Sequence, residues 1–339
     1  MYEVVIALAA FVLACGLTAV YRSTFRKLEP PSERGMHTVP VPSGAGVAIV
    51  GTILLLWPVA LGFGSESLNK PLLVALASLT AVSWLDDRYR LPAGARFIAH
   101  AAAVIFLLST LDTDLQIVPI VPVVLERIVL GLGWLWFINL FNFMDGIDGI
   151  AGAEAIAIAG GGIAVAAAAD LADPHRELSL IVAASCAGYL VWNWHPAKVF
   201  MGDAGSIPLG FLLGWVLLDL AVHGYWHAAL ILPAYFAADA TLTLIARLRR
   251  REKPWTPHRE HFYQRAVLGG GTVPAVVAAI SAANVTLAVL AIASVQFPMA
   301  ALGAAAVVVL VLLSYLQFLA SGSGRQAPPL ADSSPARTP

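Results

Sequence analysis

Eleven stretches of this chain are apolar over roughly the 20 residues that a helix needs to cross the hydrocarbon core of a bilayer. They lie near 3–21, 45–63, 69–85, 95–111, 122–141, 150–169, 178–192, 205–222, 226–246, 273–294 and 298–319. Inside lipid a backbone N–H or C=O finds no water, so each run must satisfy its own hydrogen bonds as a helix. Composition agrees. Of 339 residues, 12% are charged and 59% hydrophobic, whereas soluble domains carry about 25% charged residues. The expected fold is an all-α polytopic membrane protein of about 11 transmembrane helices. Residues 1–320 form its membrane-embedded domain, and residues 321–339, mostly Gly, Ser, Pro and Ala, read as a disordered cytoplasmic tail.

Positive charge orients the chain, because Lys and Arg collect on the cytoplasmic side of membrane spans. With the N-terminus outside, seventeen of the 20 Lys and Arg residues fall on inner segments or the tail. Only Lys70, Arg127 and Arg176 fall on or near the other side. The N-terminus is expected outside and the C-terminus in the cytoplasm. A net charge of −1 gives no dense basic face, so no nucleic-acid partner is expected. Cys15 and Cys186 lie in apolar runs and read as small hydrophobes, not as a disulfide or a thiolate metal site. Val12–Cys15 has the look of a lipoprotein cleavage site, but no basic stretch precedes it, and 3–21 reads as a retained span. There is no internal repeat of the transporter kind. The runs Gly160-Gly161-Gly162 and Gly269-Gly270-Gly271 are either tight helix contacts or hinges.

Against this apolar background four polar clusters stand out, all at inner ends of spans. Asp86 and Asp87 are adjacent carboxylates that repel unless a cation or donors compensate them; the plain alternative is a solvated helix end. Asn139, Asn142, Asp145 and Asp148 recur every third residue, which on a helix keeps them along one side. Gly146 and Gly149 among them permit close approach of backbone or ligand. Asp203 stands between Gly202 and Gly205 ahead of another span. Helix amides beginning at Gly205-Ser206 would favour an anion there, and the plain alternative is an N-cap. The fourth cluster is the longest inner loop. Its Arg249 to Lys253 read as a topology anchor, whereas His258, Arg259 and His261 suit phosphate oxygens. Zinc on the two histidines is disfavoured, since no cysteine accompanies them and the other acids favour a hard cation. Carboxylates and a carboxamide suit Mg²⁺, which binds through one or two such groups plus substrate phosphates. Ionisable groups at membrane depth are costly and mark function. The residues point to metal-assisted chemistry on a phosphate compound at the inner membrane face.

In this order the clusters resemble the polyprenyl-phosphate N-acetylhexosamine-1-phosphate transferase family (glycosyltransferase family 4). The resemblance runs from about Glu33 to Arg265. It is carried by Asp86-Asp87, by Asn142-Phe-Met-Asp145-Gly-Ile-Asp148-Gly, by the run from Pro196 to Ser206 and by His258-Arg-Glu-His261-Phe-Tyr-Gln264. It implies transfer of a sugar 1-phosphate from a UDP-N-acetyl sugar to undecaprenyl phosphate, with release of UMP, at the cytoplasmic face of a bacterial inner membrane. It further implies that Asp203 and Asn142 hold Mg²⁺, with Mn²⁺ as a substitute, and that Asp86 and Asp87 face the reacting phosphates. Asn139, Asp145 and Asp148 would belong to the nucleotide side and Lys198 would lie near the pyrophosphate. The loop with His258, Arg259 and His261 would close over the donor. Asp239 and Thr241 also match a recurring family pattern, with Asp239 either supporting the site or making a plain helix-to-helix hydrogen bond.

Two departures qualify the resemblance. Ser43 stands where the family commonly has a basic residue or Met, and Ala45 where it has Gly. The pattern around His261 lacks the three consecutive histidines of the phospho-MurNAc-pentapeptide translocases. It is closer to the branch that initiates O-antigen, lipopolysaccharide and other surface glycans. The readings to weigh against this one are the same reaction on a peptidoglycan precursor, and a cation-coupled transporter, whose acids would sit near the bilayer midplane. The donor sugar stays open, and a homodimer is compatible with the reading.

Overall fold

A computed structural model describes residues 1–25, 28–29, 40–62, 65, 68–171, 176–253, 256 and 258–322. Arg26, Lys27, the stretch 30–39 with Glu33 and His37, and the expected tail from 323 onward lie outside the described residues.

The apolar runs are helices, as the hydrogen-bond argument requires. In chain order they are α1 (Tyr2–Thr24), α2 (Val47–Leu61), α3 (Lys70–Tyr89), α4 (Ala93–Thr110), α5 (Val123–Phe143), α6 (Ile150–Ala168) and α7 (Arg176–Asn193). There follow α8 (Asp203–Leu220), α9 (Trp226–Ile231), α10 (Ala234–Arg249), α11 (Phe262–Leu268), α12 (Val273–Ala293) and α13 (Pro298–Ser321). Among the described residues, the only strand pairing is a two-residue antiparallel bridge, with Leu28 opposite Pro42 and Glu29 opposite Val41. Among the described residues, seven helical units are long and apolar enough to cross a membrane: α1, α4, α5, α6, the continuous stretch Asp203–Ile231, α12 and α13. The chain is thus an all-helical polytopic membrane protein.

One expected run is broken. Residues 226–246 form two helices separated at Leu232–Pro233, because Pro233 has no N–H to continue the ladder. Just before them, Ala221–Tyr225 widens to a π-turn with Gly224 at φ 95°.

Cross-contacts fix the relative directions. Tyr2, at the start of α1, donates to the Ala60 carbonyl near the end of α2. Tyr21, at the other end of α1, donates to the Ser43 carbonyl just before α2 (2.8 Å), so the two helices are antiparallel. Arg176, opening α7, pairs with Glu3 at 3.2 Å, and Trp192 near its close donates to the Cys15 carbonyl at 3.0 Å. Helices α1 and α7 therefore run parallel.

Small residues let these helices approach. Ala10, Ala14 and Thr18 form the buried stripe of α1. A Cβ on Gly188 of α7 would lie 2.3 Å from the Phe11 carbonyl oxygen. Helix α8 is almost wholly enclosed. Trp134 of α5 stacks on its Phe211 (ring centroids 4.9 Å apart) and donates to the Phe211 carbonyl at 2.9 Å. The two triple-glycine runs separate in role. Gly161 and Gly162 pack under Leu232 and Val216, whereas Gly270, at φ 107°, turns the chain between α11 and α12.

Candidate active site

The polar clusters meet at one end of the bundle. Asp86, in the last turn of α3, is 6% exposed; it accepts from the Leu91 amide (2.7 Å) and from Nη1 of Arg96 (3.0 Å). The same Arg96 nitrogen, from the first turn of α4, lies 3.4 Å from Asp203 Oδ2 at the start of α8. Asp203 Oδ1 accepts from Asn142 Nδ2 of α5 at 3.2 Å. One guanidinium and one carboxamide thus join the ends of four helices.

Asp87 supplies a further tie, accepting from the amides of Asp203 (3.2 Å) and Ala204 (3.0 Å). These are orphan donors of a helix N-terminus, where negative charge is favoured. The glycine spacing predicts an anion at amides beginning with Gly205. Instead α8 begins at Asp203, and its first amides are satisfied by the side chain of Asp87.

Glycine makes the room for this. A Cβ on Gly202 (φ 68°) would fall 2.7 Å from the Gly44 amide nitrogen, and one on Gly205 would fall 2.5 Å from Gly46 Cα. Residues 42–46 are stitched alongside by backbone bonds from Phe200 to Pro42 (2.8 Å), Ala45 to Phe200 (3.0 Å) and Gly46 to Met201 (2.9 Å). The departing stretch around Ser43 and Ala45 is therefore part of the wall of the site.

The second cluster differs from its expected form. Helix α5 stops at Phe143, so only Asn139 and Asn142 share a helical side, while Asp145 and Asp148 lie in the turn that leads to α6. The glycines break the periodicity: Gly149 takes φ 81°. Asn139 turns back to its own Leu135 carbonyl at 2.7 Å. Asp148 braces the neighbouring turn, accepting from the Ala197 amide (3.0 Å) and lying 2.7 Å from His195 Nδ1. Buried Asn193 locks both turns, accepting from the Gly149 amide at 3.0 Å and donating to the Val199 carbonyl at 2.9 Å. Lys198 is exposed, its ammonium 5.7 Å from the centre of the Trp192 ring.

The loop after α10 is an arm laid back onto this turn. Buried Arg247 donates to Glu260 (3.0 Å) and Thr256 (2.7 Å), and Arg250 pairs with Glu252 (2.6 Å) and with Glu260. The hydrogen bond from Arg250 holds the Glu252 carboxyl below its usual range. Part of the basic run is thus neutralised within the arm and not offered as a bare anchor. The rings of His258 and His261 lie 4.9 Å apart. His261 is 3% exposed and caps α11, with Asp239 Oδ1 3.1 Å from its Nδ1. Tyr263 donates to the Phe143 carbonyl at 3.3 Å, and a Cβ on Gly146 would lie 2.2 Å from the Tyr263 hydroxyl. Arg259 is half-buried on the same arm.

Asp86, Asp87, Asn142 and Asp203 are thus brought together, and the arm with His258, Arg259 and His261 docks beside them. Asn139 bonds within its own helix, and Lys198 is exposed beside the Trp192 ring. Sequence reading missed Arg96, counted only as a topology charge. The signal available was His100 four positions later, a second ionisable residue on the same side of an apolar span.

The sequence profile of glycosyl transferase family 4 matches residues 71–221, the span holding every polar cluster except the arm. A probable undecaprenyl-phosphate N-acetylglucosaminyl 1-phosphate transferase of Bacillus subtilis is 30% identical over 257 residues, 72% of this chain and 70% of that protein. A decaprenyl-phosphate N-acetylglucosaminephosphotransferase of Mycobacterium leprae is 28% identical over 74% of this chain and 73% of its own. A phospho-N-acetylmuramoyl-pentapeptide-transferase of Microcystis aeruginosa is 32% identical over 69% of this chain and 73% of its own.

Proposed function

The chain belongs to glycosyl transferase family 4, and from that premise we propose that it transfers an N-acetylhexosamine 1-phosphate from a UDP-sugar to undecaprenyl phosphate, releasing UMP. The observation that carries the reading is the junction of Asp86, Arg96, Asn142 and Asp203 across four helix ends. Phosphoryl transfer needs chiefly positioning and charge stabilisation, and rigid helix ends supply both. The Bacillus and Mycobacterium relatives are named for polyprenyl-phosphate acceptors and an N-acetylglucosaminyl group, which makes UDP-N-acetylglucosamine the first donor to test. The arm without consecutive histidines favours a surface-glycan or lipopolysaccharide pathway over a peptidoglycan one.

Asp203 and Asn142 would hold Mg²⁺. Both are oxygen donors within hydrogen-bond reach of each other, and the Asn142 carboxamide can turn its oxygen toward the same point. Among the described residues no three His, Cys, Asp or Glu side chains form a ready cage. That suits a cation completed by substrate phosphate oxygens. When bound, Mg²⁺ supplies charge neutralisation for a diphosphate and polarises its oxygens.

The residues of the chain do the rest. Arg96 holds Asp86 and Asp203 side by side despite their like charge, and offers a guanidinium to phosphate oxygens. Asp86 or Asp87 would accept any proton left on the lipid phosphate, whose oxygen attacks the phosphorus bearing the sugar as UMP leaves. Both carboxylates already accept hydrogen bonds. Those bonds fix the orientation of both carboxylates, and single displacement by the lipid phosphate needs no covalent bond from either.

We further read eleven crossings, with α9 and α10 as one broken span, the N-terminus outside and the site at the cytoplasmic face of a bacterial inner membrane. The charge asymmetry and the antiparallel order of α1 and α2 support this.

The test incubates purified protein with undecaprenyl phosphate, Mg²⁺ and a panel of UDP-N-acetyl sugars and follows UMP. Asp203→Ala is expected to abolish release. Near-normal turnover by that variant would overturn the metal assignment, and no UMP from any donor would overturn the function.

A further inference from the structure

Asp239, midway along α10, is 0% exposed, and a carboxylate taken out of water is costly unless donors surround it. Five do. Two belong to its own helix: the Tyr235 hydroxyl at 3.1 Å and the Thr243 hydroxyl at 3.3 Å. The other three come from the arm: His261 Nδ1 at 3.1 Å and the amides of Phe262 at 3.0 Å and Tyr263 at 3.3 Å. Most of the compensation for this buried charge thus arrives from a segment more than twenty positions later in sequence. If the arm swung away, the carboxylate would be stranded, which is far more costly than losing ordinary hydrogen bonds.

What the arm carries when so fixed is the Tyr263 side chain. It is fully buried, bonded to the Phe143 carbonyl and seated over Gly146. That turn holds Asn142 on one side and Asp145 on the other.

We propose that Asp239 is a positioning residue of the active site: its carboxylate clamps His261 and the start of α11 to the bundle, and so sets the arm against the Asn142–Asp145 turn where the sugar nucleotide binds. The second half of this statement rests on the proposed transferase reading; the clamp itself does not.

The two can therefore fail separately. Asp239→Asn keeps the shape but turns N–H donors toward N–H donors. Amide hydrogen exchange at Phe262 and Tyr263 in detergent-solubilised full chain is expected to quicken about tenfold or more in this variant. Unchanged exchange overturns the clamp, whatever the protein catalyses. In the UMP assay, Asp239→Asn is expected to raise the donor KM about tenfold with kcat within about threefold of wild type. A purely structural role would reduce the amount of active protein and so lower apparent kcat with KM unchanged, and that result overturns the positioning role. Should Asp239→Asn fail to fold, Tyr263→Phe removes only the hydroxyl contact to Phe143. It is expected to raise donor KM in the same direction, and an unchanged KM there overturns the proposal equally. A wild-type chain that releases no UMP would count against the transferase reading and leave the exchange result to decide the clamp.

Discussion

At Gly146 a single hydrogen atom separates a working contact from a clash. A β-carbon there would lie 2.2 Å from the Tyr263 hydroxyl and 3.0 Å from the Gln264 carboxamide nitrogen, and both side chains are buried, so the neighbours would have to shift. Gly146→Ala is expected to lower UMP release by about tenfold or more, since a displacement of about 1 Å costs roughly a hundredfold in a positioned site. Gly202 is more severe, because both its positive φ and the facing backbone of Gly44 exclude a side chain. Gly202→Ala should destabilise the fold by about 2–4 kcal/mol, read as a lower midpoint in thermal unfolding. Arg96 is the residue on which the acids depend. Arg96→Gln removes a cation that contacts both Asp86 and Asp203. A fall in kcat of about a hundredfold is expected, and retention of half the wild-type rate would remove Arg96 from the machinery.

Between elements, polar pairs bind the helices where apolar packing gives no preference over lipid. Glu154 of α6 accepts from Asn284 of α12 at 2.6 Å in the protein interior. Among the described residues, Glu154 Oε1 and Asn284 Oδ1 have no hydrogen-bond partner. Glu154→Gln adds an N–H that can fill that gap and should leave stability unchanged or raised, while Glu154→Ala should cost about 1–3 kcal/mol in thermal or denaturant unfolding. Within the arm, the Glu252 carboxyl is held down by Arg250. A depressed carboxyl stabilises the folded arm above its ordinary titration range, and this contribution is lost as pH falls through the lowered value. Protection of the amides at residues 250–253, taken as observed exchange relative to the intrinsic rate at each pH, should therefore fall on acidification, and flat protection down to the acid limit of the fold would contradict it.

For the whole molecule the decisive quantity is which end faces the cytoplasm. Single cysteines introduced at Lys70 and at Arg251, on a background in which Cys15 and Cys186 are replaced by Ala, should label with a membrane-impermeant maleimide from the outside and from the inside respectively. The reverse result would refute the orientation. Length and apolarity of the runs dictated the helices, because a chain in lipid has almost no other way to satisfy its backbone. The residue types Asp86, Asp87, Asn142 and Asp203 were legible too, since acids at span ends are rare without a use. Their wiring was not. Sequence spacing treated Asn139 to Asp148 as one helical side, yet Gly149 and the end of α5 at Phe143 divide it. Arg96 looked like a topology charge, and Asp239 like one of two equal alternatives, until their partners arrived from distant segments. Periodicity and composition are local properties, so the sequence alone determined that this chain is a membrane bundle with acidic residues at the ends of its spans. Which amides satisfy Asp87 and Asp239 depends on residues 23 to 117 positions apart meeting in space. Only the packing of the helices, set by glycines that admit no side chain, decided that.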